Sequence, residues 1–82
     1  MRVRVLYFAA VRDLVAATEE DVHVPETVRT VGEFARWIPS LHAPLDGRMS
    51  SVRIARNEAF ARDDDSLVDG DVLALIPPVA GG

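Results

Sequence analysis

The 82-residue chain contains no cysteine and no lysine. The first absence excludes disulfide bonds, thiolate metal sites and a cysteine-bound persulfide. The second means that all nine basic residues are arginine, so any chemistry that needs a lysine amine must find it on another molecule. Long apolar runs are missing too. Nothing approaches the roughly 20 residues that span a bilayer. Met1-Arg2-Val3-Arg4-Val5 enters a strand pattern at once, without the apolar segment and small-residue cleavage site of a secretory signal. The expectation is a cytoplasmic protein with no membrane contact. Net charge is −4 and the arginines are scattered singly, so the basic footprint of a nucleic-acid binder is absent and nucleic acid is not an expected partner.

Signatures of catalysis are also scarce. His23 and His42 are the only histidines, and they have neither the i, i+4 spacing of a zinc pair nor a carboxylate cluster close by in sequence, so no metal site is expected. Asp63-Asp64-Asp65 lacks the alternating ligands, central glycine and distant glutamate of a calcium loop and is expected to be a solvated acidic turn. No serine sits in a Gly-x-Ser-x-Gly elbow and no glycine-rich loop opens a helix, which leaves an acyl hydrolase or a nucleotide pocket without support. No bound cofactor is expected, and the residues do not equip the chain as an enzyme in its own right.

What is present is material for one small core. A domain of this size buries about 60 to 65% of the surface of its unfolded chain, and a hydrophobic content of 49% favours a packed globule over disorder. Arg2 to Phe8 alternates at period 2, with Val3, Val5 and Tyr7 on one face. Val11, Leu14 and Val15 have the spacing of a helical stripe, which predicts a short helix over 10–17. Glu20 to Val24 alternates again, with Val22 and Val24 inward and His23 outward, until Pro25 closes it. Thr30 and Glu33 form a capping box. The helix it opens carries Val31, Phe34, Ala35 and Ile38 as its buried stripe and is expected to stop near Trp37 or Ile38 because Pro39 follows. Leu41 to Ser50 is expected to be a loop with an Asp46-Gly47 turn. Val52 to Arg56 is a strand with Val52 and Ile54 inward, Asn57-Glu58 a turn, and Ala59-Phe60-Ala61 a very short strand. Leu67 and Val68 are expected to pin a polar connection to the core, Asp69-Gly70 to reverse the chain, and Val72 to Ile76 to form the last strand. The order predicts an α+β fold, a sheet wrapped across one main helix, with residues 1–77 as the domain and 78–82 as a tail.

That tail carries the chemical expectation. An apolar strand runs into Pro77-Pro78-Val79-Ala80-Gly81-Gly82. The prolines lack N–H donors and hold φ near −65°, so strand pairing stops and the chain leaves the sheet extended. Val79 offers an apolar anchor, and Ala80, Gly81 and Gly82 have almost no side chain, which lets the backbone enter a narrow channel. From Pro78 to Gly82 the reach is roughly 16 Å. The Gly82 carboxylate is then a reactive group to be loaded and unloaded by other proteins; the alternative is a frayed end. Phe8, Phe60 and Ile76 are candidates for one exposed patch beside the base of the tail, a partner interface unless one or two of them belong to the core.

Val5-Leu6-Tyr7-Phe8-Ala9, Val11-Arg12-Asp13-Leu14, Ile54-Ala55-Arg56-Asn57-Glu58 and the run from Leu67 to Gly82 resemble the MoaD-type sulfur carriers, the small subunits of molybdopterin synthase. The resemblance covers the whole chain and is strongest at the C-terminal end, with a generic middle from Thr27 to Ser51. It implies the ubiquitin-like β-grasp fold and a carrier that supplies a cosubstrate rather than catalytic residues. By the resemblance, a MoeB-type enzyme uses ATP to adenylate Gly82 and a sulfur donor protein converts the acyl group to a thiocarboxylate. The MoaE-type large subunit, in a heterotetramer, then passes the sulfur to cyclic pyranopterin monophosphate. Phe8, Phe60 and Ile76 match the family's apolar partner contacts and Arg12 its basic residue near the partner, while Arg4 stands where the family often has lysine. Carriers for thiamine, cysteine or tRNA thiolation, ubiquitin-like modifiers and non-covalent interaction modules are the rivals. Thiamine carriers usually lack a helix at residues 10–17.

Overall fold

The computed structural model describes residues 1–78; the sequence-predicted tail residues Val79, Ala80, Gly81 and Gly82 lie outside the described residues. The chain runs β1 (Arg2–Tyr7), α1 (Ala9–Val15), β2 (Glu19–His23), α2 (Val31–Leu41), two 3₁₀ turns (Ala43–Leu45 and Met49–Ser51), β3 (Arg53–Arg56), β4 (Ala59–Phe60) and β5 (Val72–Ile76). The strands form one mixed sheet in the order β2-β1-β5-β3-β4. The last strand is therefore central, parallel to β1 and antiparallel to β3. Among the described residues no helix is long and apolar enough to cross a membrane.

The period-2 pattern decides which face is covered. Val3, Val5 and Tyr7 of β1, Val22 of β2, Ile54 of β3 and Leu73 and Leu75 of β5 are all buried, and they meet Val31, Phe34 and Ile38 of α2 in one core. Phe34 and Ile38 are fully buried, each contributing about 1.5 to 3 kcal/mol by leaving water. At seven residues α1 is too short to persist alone; buried Val11 ties it to the core.

The capping box forms as the sequence predicts. The Glu33 N–H donates to Thr30 Oγ1 at 3.2 Å and the Thr30 N–H to Glu33 Oε1 at 3.1 Å. The next two amides, of Val31 and Gly32, donate to the Asp65 and Asp63 carbonyls at 3.0 and 2.9 Å. Asp63-Asp64-Asp65 is thus a turn that caps α2 through its backbone. Gly32 is required at this contact, because a Cβ there would stand 2.9 Å from Asp63 Cβ.

Three expectations are corrected. Pro39 does not end α2, which continues to Leu41. The proline removes one backbone bond, but only in the final turn, where Ser40 Oγ donates to the Trp37 carbonyl at 2.6 Å and the His42 N–H to Ile38 at 3.0 Å. The segment expected as a loop contains both 3₁₀ turns, and its Leu45 is fully buried. Val68 is 53% exposed while Leu67 is buried, because neighbours on an extended stretch point to opposite sides and only one faces the core.

A polar knot ties the β3–β4 turn to the start of β5. Asp71 is buried, and its carboxylate accepts from Arg56 Nε at 2.7 Å, Asn57 Nδ2 at 2.9 Å and the Val68 N–H at 2.8 Å. Asn57 and Glu58 both have left-handed φ, +51° and +73°, the conformation of a tight hairpin turn. Burial alone pushes the Asp71 carboxyl up, but the bonds from Val68, Arg56 and Asn57 outweigh it and hold the group below its ordinary value of 3.8. The folded chain therefore binds this proton less readily than the unfolded chain. Asp71 contributes its full stabilisation above about pH 5 and loses it as pH falls below about 4. Asp71→Ala is expected to destabilise by about 3 kcal/mol and to flatten the acid limb of stability against pH in urea titrations. Asp64→Ala, on the exposed turn, changes stability by less than about 0.5 kcal/mol.

Candidate functional site: the open face of the sheet

With α2 on one side of the sheet, the residues alternating to the other side have no covering element among the described residues. The register places Leu6 beside Ala74, Ala74 beside Ala55, Ala55 beside Phe60, and Arg53 beside Ile76. Phe8 is extended at φ −117° and ψ 147° and keeps the β1 alternation; its N–H donates to the Leu75 carbonyl at 3.3 Å. Four strand segments thus present Leu6, Phe8, Val72, Ala74, Ile76, Ala55 and Phe60 on one apolar surface.

Phe8 and Phe60 are 45% and 56% exposed and Ile76 is half-buried. A fold that buries Phe34 completely has left two phenylalanines in water on the same face, and an exposed apolar group of this kind marks an interaction site. The sheet brings together the Phe8, Phe60 and Ile76 that the sequence singles out. Ile76 ends the central strand, followed by half-buried Pro77 and exposed Pro78. The remaining sequence-predicted site residues, Val79, Ala80, Gly81 and Gly82, lie outside the described residues. Arg12 is exposed on α1 one turn beyond Phe8, its N–H donating to the Phe8 carbonyl at 3.3 Å.

Arg53 belongs to this face although no sequence pattern singles it out. Its guanidinium carbon lies 3.7 Å from the centre of the Phe60 ring, a cation–π contact. Arg4, on the same face at the β1–β2 edge, is instead committed to Glu19 at 3.0 Å and Asp21 at 3.1 Å.

A second polar cluster stands apart from this face. Tyr7 Oη donates to Glu20 Oε1 at 2.5 Å, the same oxygen meets His42 Nε2, and the Tyr7 and His42 rings make an edge contact at 5.7 Å. Burial, then the bond to Glu20, pushes the Tyr7 hydroxyl far above its ordinary value. For Glu20, burial acts upward but the bonds from Tyr7 and His42 prevail and lower it. The cluster joins β1 and β2 to the end of α2. Its members are 13 and 22 positions apart, so no local spacing reveals it. His23 is exposed, as its strand position predicts.

Comparison with known proteins agrees with this architecture. The ThiS family model matches residues 5–82. The molybdopterin synthase sulfur carrier subunit of Chlamydomonas reinhardtii is 34% identical over 84 residues, covering all of both chains. Among solved structures, SAMP1 from Haloferax volcanii superposes with a TM-score of 0.85 at 26% identity over the whole of both chains. A chain from the complex of subunits 1 and 2 of the Helicobacter pylori molybdopterin-converting factor gives 0.69 at 26% identity, again over the whole of both. From its sheet order, its open apolar face and these full-length similarities, the chain belongs to the ThiS family and has the ubiquitin-like β-grasp fold.

Proposed function

We propose that this chain is the sulfur carrier subunit of a molybdopterin synthase and that the Gly82 carboxylate is its working group. The observation that carries the reading is the placement of β5 at the centre of the sheet, running directly into Pro77-Pro78 beside the open apolar face. A central strand gives the segment that follows it a fixed starting point, and the face beside it offers a docking surface. The full-length similarity to a sulfur carrier subunit and to a chain solved with its subunit 2 supports the same reading.

A carboxylate is a poor acyl donor because its oxygen leaves badly. On the proposed cycle, a MoeB-type enzyme joins Gly82 to AMP at the expense of ATP. Sulfide-level sulfur delivered by a sulfur donor protein displaces AMP from the Gly82 carbonyl, and the resulting thiocarboxylate, anionic and nucleophilic near neutral pH, attacks cyclic pyranopterin monophosphate inside the MoaE-type large subunit, in a cytoplasmic heterotetramer; hydrolysis of the acyl–sulfur bond leaves the sulfur on the pterin and returns the Gly82 carboxylate. The carrier binds no cofactor of its own; ATP belongs to the activating enzyme. Pro78, Val79, Ala80 and Gly81 thread the active sites of the partners, and Phe8, Arg12, Phe60 and Ile76 hold the body against them. A second reading, a protein modifier, is favoured by the similarity to SAMP1. It shares the activation step and differs in the acceptor, which would be an amine on another protein because this chain has no lysine.

Deleting Gly82 is expected to abolish molybdopterin formation in a reconstituted assay while leaving the melting temperature unchanged. A truncated chain that still supports synthesis contradicts the proposal, and lysine conjugates of the intact chain in place of product favour the modifier reading. Phe60→Asp is expected to weaken binding to the large subunit by at least about tenfold with a small effect on thermal unfolding. A large loss of stability with unchanged binding would make Phe60 a structural residue.

A further inference from the structure

Arg53 stands out on the open face because its guanidinium is stacked on an exposed aromatic ring. Arg4, on the same face, is held by Glu19 and Asp21, whereas among the described residues Arg53, like Arg2, forms no ion pair. Asp46 and Asp63 border the same cavity of about 620 Å³ without bonding to it. Its recorded contact is the Phe60 ring at 3.7 Å, and its register partner is Ile76, the last residue of the central strand. The guanidinium is therefore fixed over an exposed aromatic ring at the root of the C-terminal segment, with its donors open to solvent.

From this geometry we infer that Arg53 is a specificity determinant that reads a single carboxylate, of Asp or Glu, on the large synthase subunit. The inference rests on the reading of the open face as the partner's docking surface. A protein that covers Phe60 takes the stacked guanidinium out of water, and an unpaired buried cation opposes association strongly. Only a surface that brings an acceptor to this spot closes on the face without that penalty. A carboxylate matches the guanidinium fork with two parallel hydrogen bonds, and stacking on Phe60 has already ordered the side chain. The chain's net charge of −4 disfavours a broadly acidic partner patch, so the complement is one placed carboxylate in an otherwise apolar or basic surface. Proteins that carry an apolar patch without it are rejected, which is how an apolar face gains selectivity.

The test is titration calorimetry of the full-length chain with the purified large subunit of its own organism, at about 0.05 M and about 0.3 M salt. The chains compared are wild type, Arg53→Gln, Arg53→Lys and Phe8→Asp, each first shown to retain its melting temperature. Arg53→Gln is expected to weaken binding about 10- to 100-fold and to lose most of the salt dependence. Arg53→Lys keeps the charge and should fall between Gln and wild type, with the salt dependence retained. If Arg53→Gln binds within twofold of wild type while Phe8→Asp is weakened, the carboxylate contact is wrong and the docking face stands. If both bind as wild type, the docking face fails and the inference with it. If Lys is as weak as Gln and neither responds to salt, Arg53 acts by packing and the carboxylate assignment is overturned.

Discussion

The parallel pairing of β1 with β5 is the contact on which the rest of the molecule depends. It joins the first strand to the last, Arg4 beside Val72 through Tyr7 beside Leu75, and lets β3 close on the other side of β5. The final strand is thereby locked between two neighbours, with Leu73 and Leu75 fully buried on one side and Ala74 and Ile76 on the open face. Such a strand cannot fray without opening the core. Two consequences meet at its end. The chain passes into Pro77-Pro78 from a rigid base, and the apolar residues that flank that base are held in register by the same hydrogen bonds. Reach and docking are two outcomes of one strand pairing.

Much of this was legible in the sequence because it follows from local rules. Period-2 alternation identified Val3, Val5 and Tyr7, then Val22, then Ile54, as one covered face, and the Thr30-Glu33 spacing located the start of α2. The exposed side followed by subtraction, since residues that alternate away from the core and are still large and apolar have nowhere else to go. Phe8 and Ile76 were legible on that ground, and Phe60 because its strand is too short to bury it. Gly82 and the residues before it were marked by composition and lie outside the described residues, so their role rests on the proposed cycle.

What the sequence hid was long-range or context-dependent. Pro39 predicts a helix end, yet at this point the loss of one bond is offset by Ser40 and His42, and tertiary packing of Ile38 carries the helix a little further. Leu45 sits among turn residues and seals the core through a 3₁₀ turn that has no periodicity to detect. The Tyr7–Glu20–His42 cluster and the Asp71 knot each gather residues far apart in the chain, and Arg53 gains meaning only when Phe60 is folded beneath it. In each case the side chain's role is set by a partner that arrives through the sheet topology.

The proposed function places its chemistry at Gly82, outside the described residues, and gives the folded body the task of docking: a handle and a scaffold. Intact-mass spectrometry of the chain, purified from its native host or incubated with ATP, its activating enzyme and a sulfur donor, tests the handle directly. The account predicts a population heavier by the difference between one sulfur and one oxygen, confined to the fragment that ends at Gly82. A chain whose mass stays unchanged under conditions in which the same enzyme modifies a known carrier would contradict it.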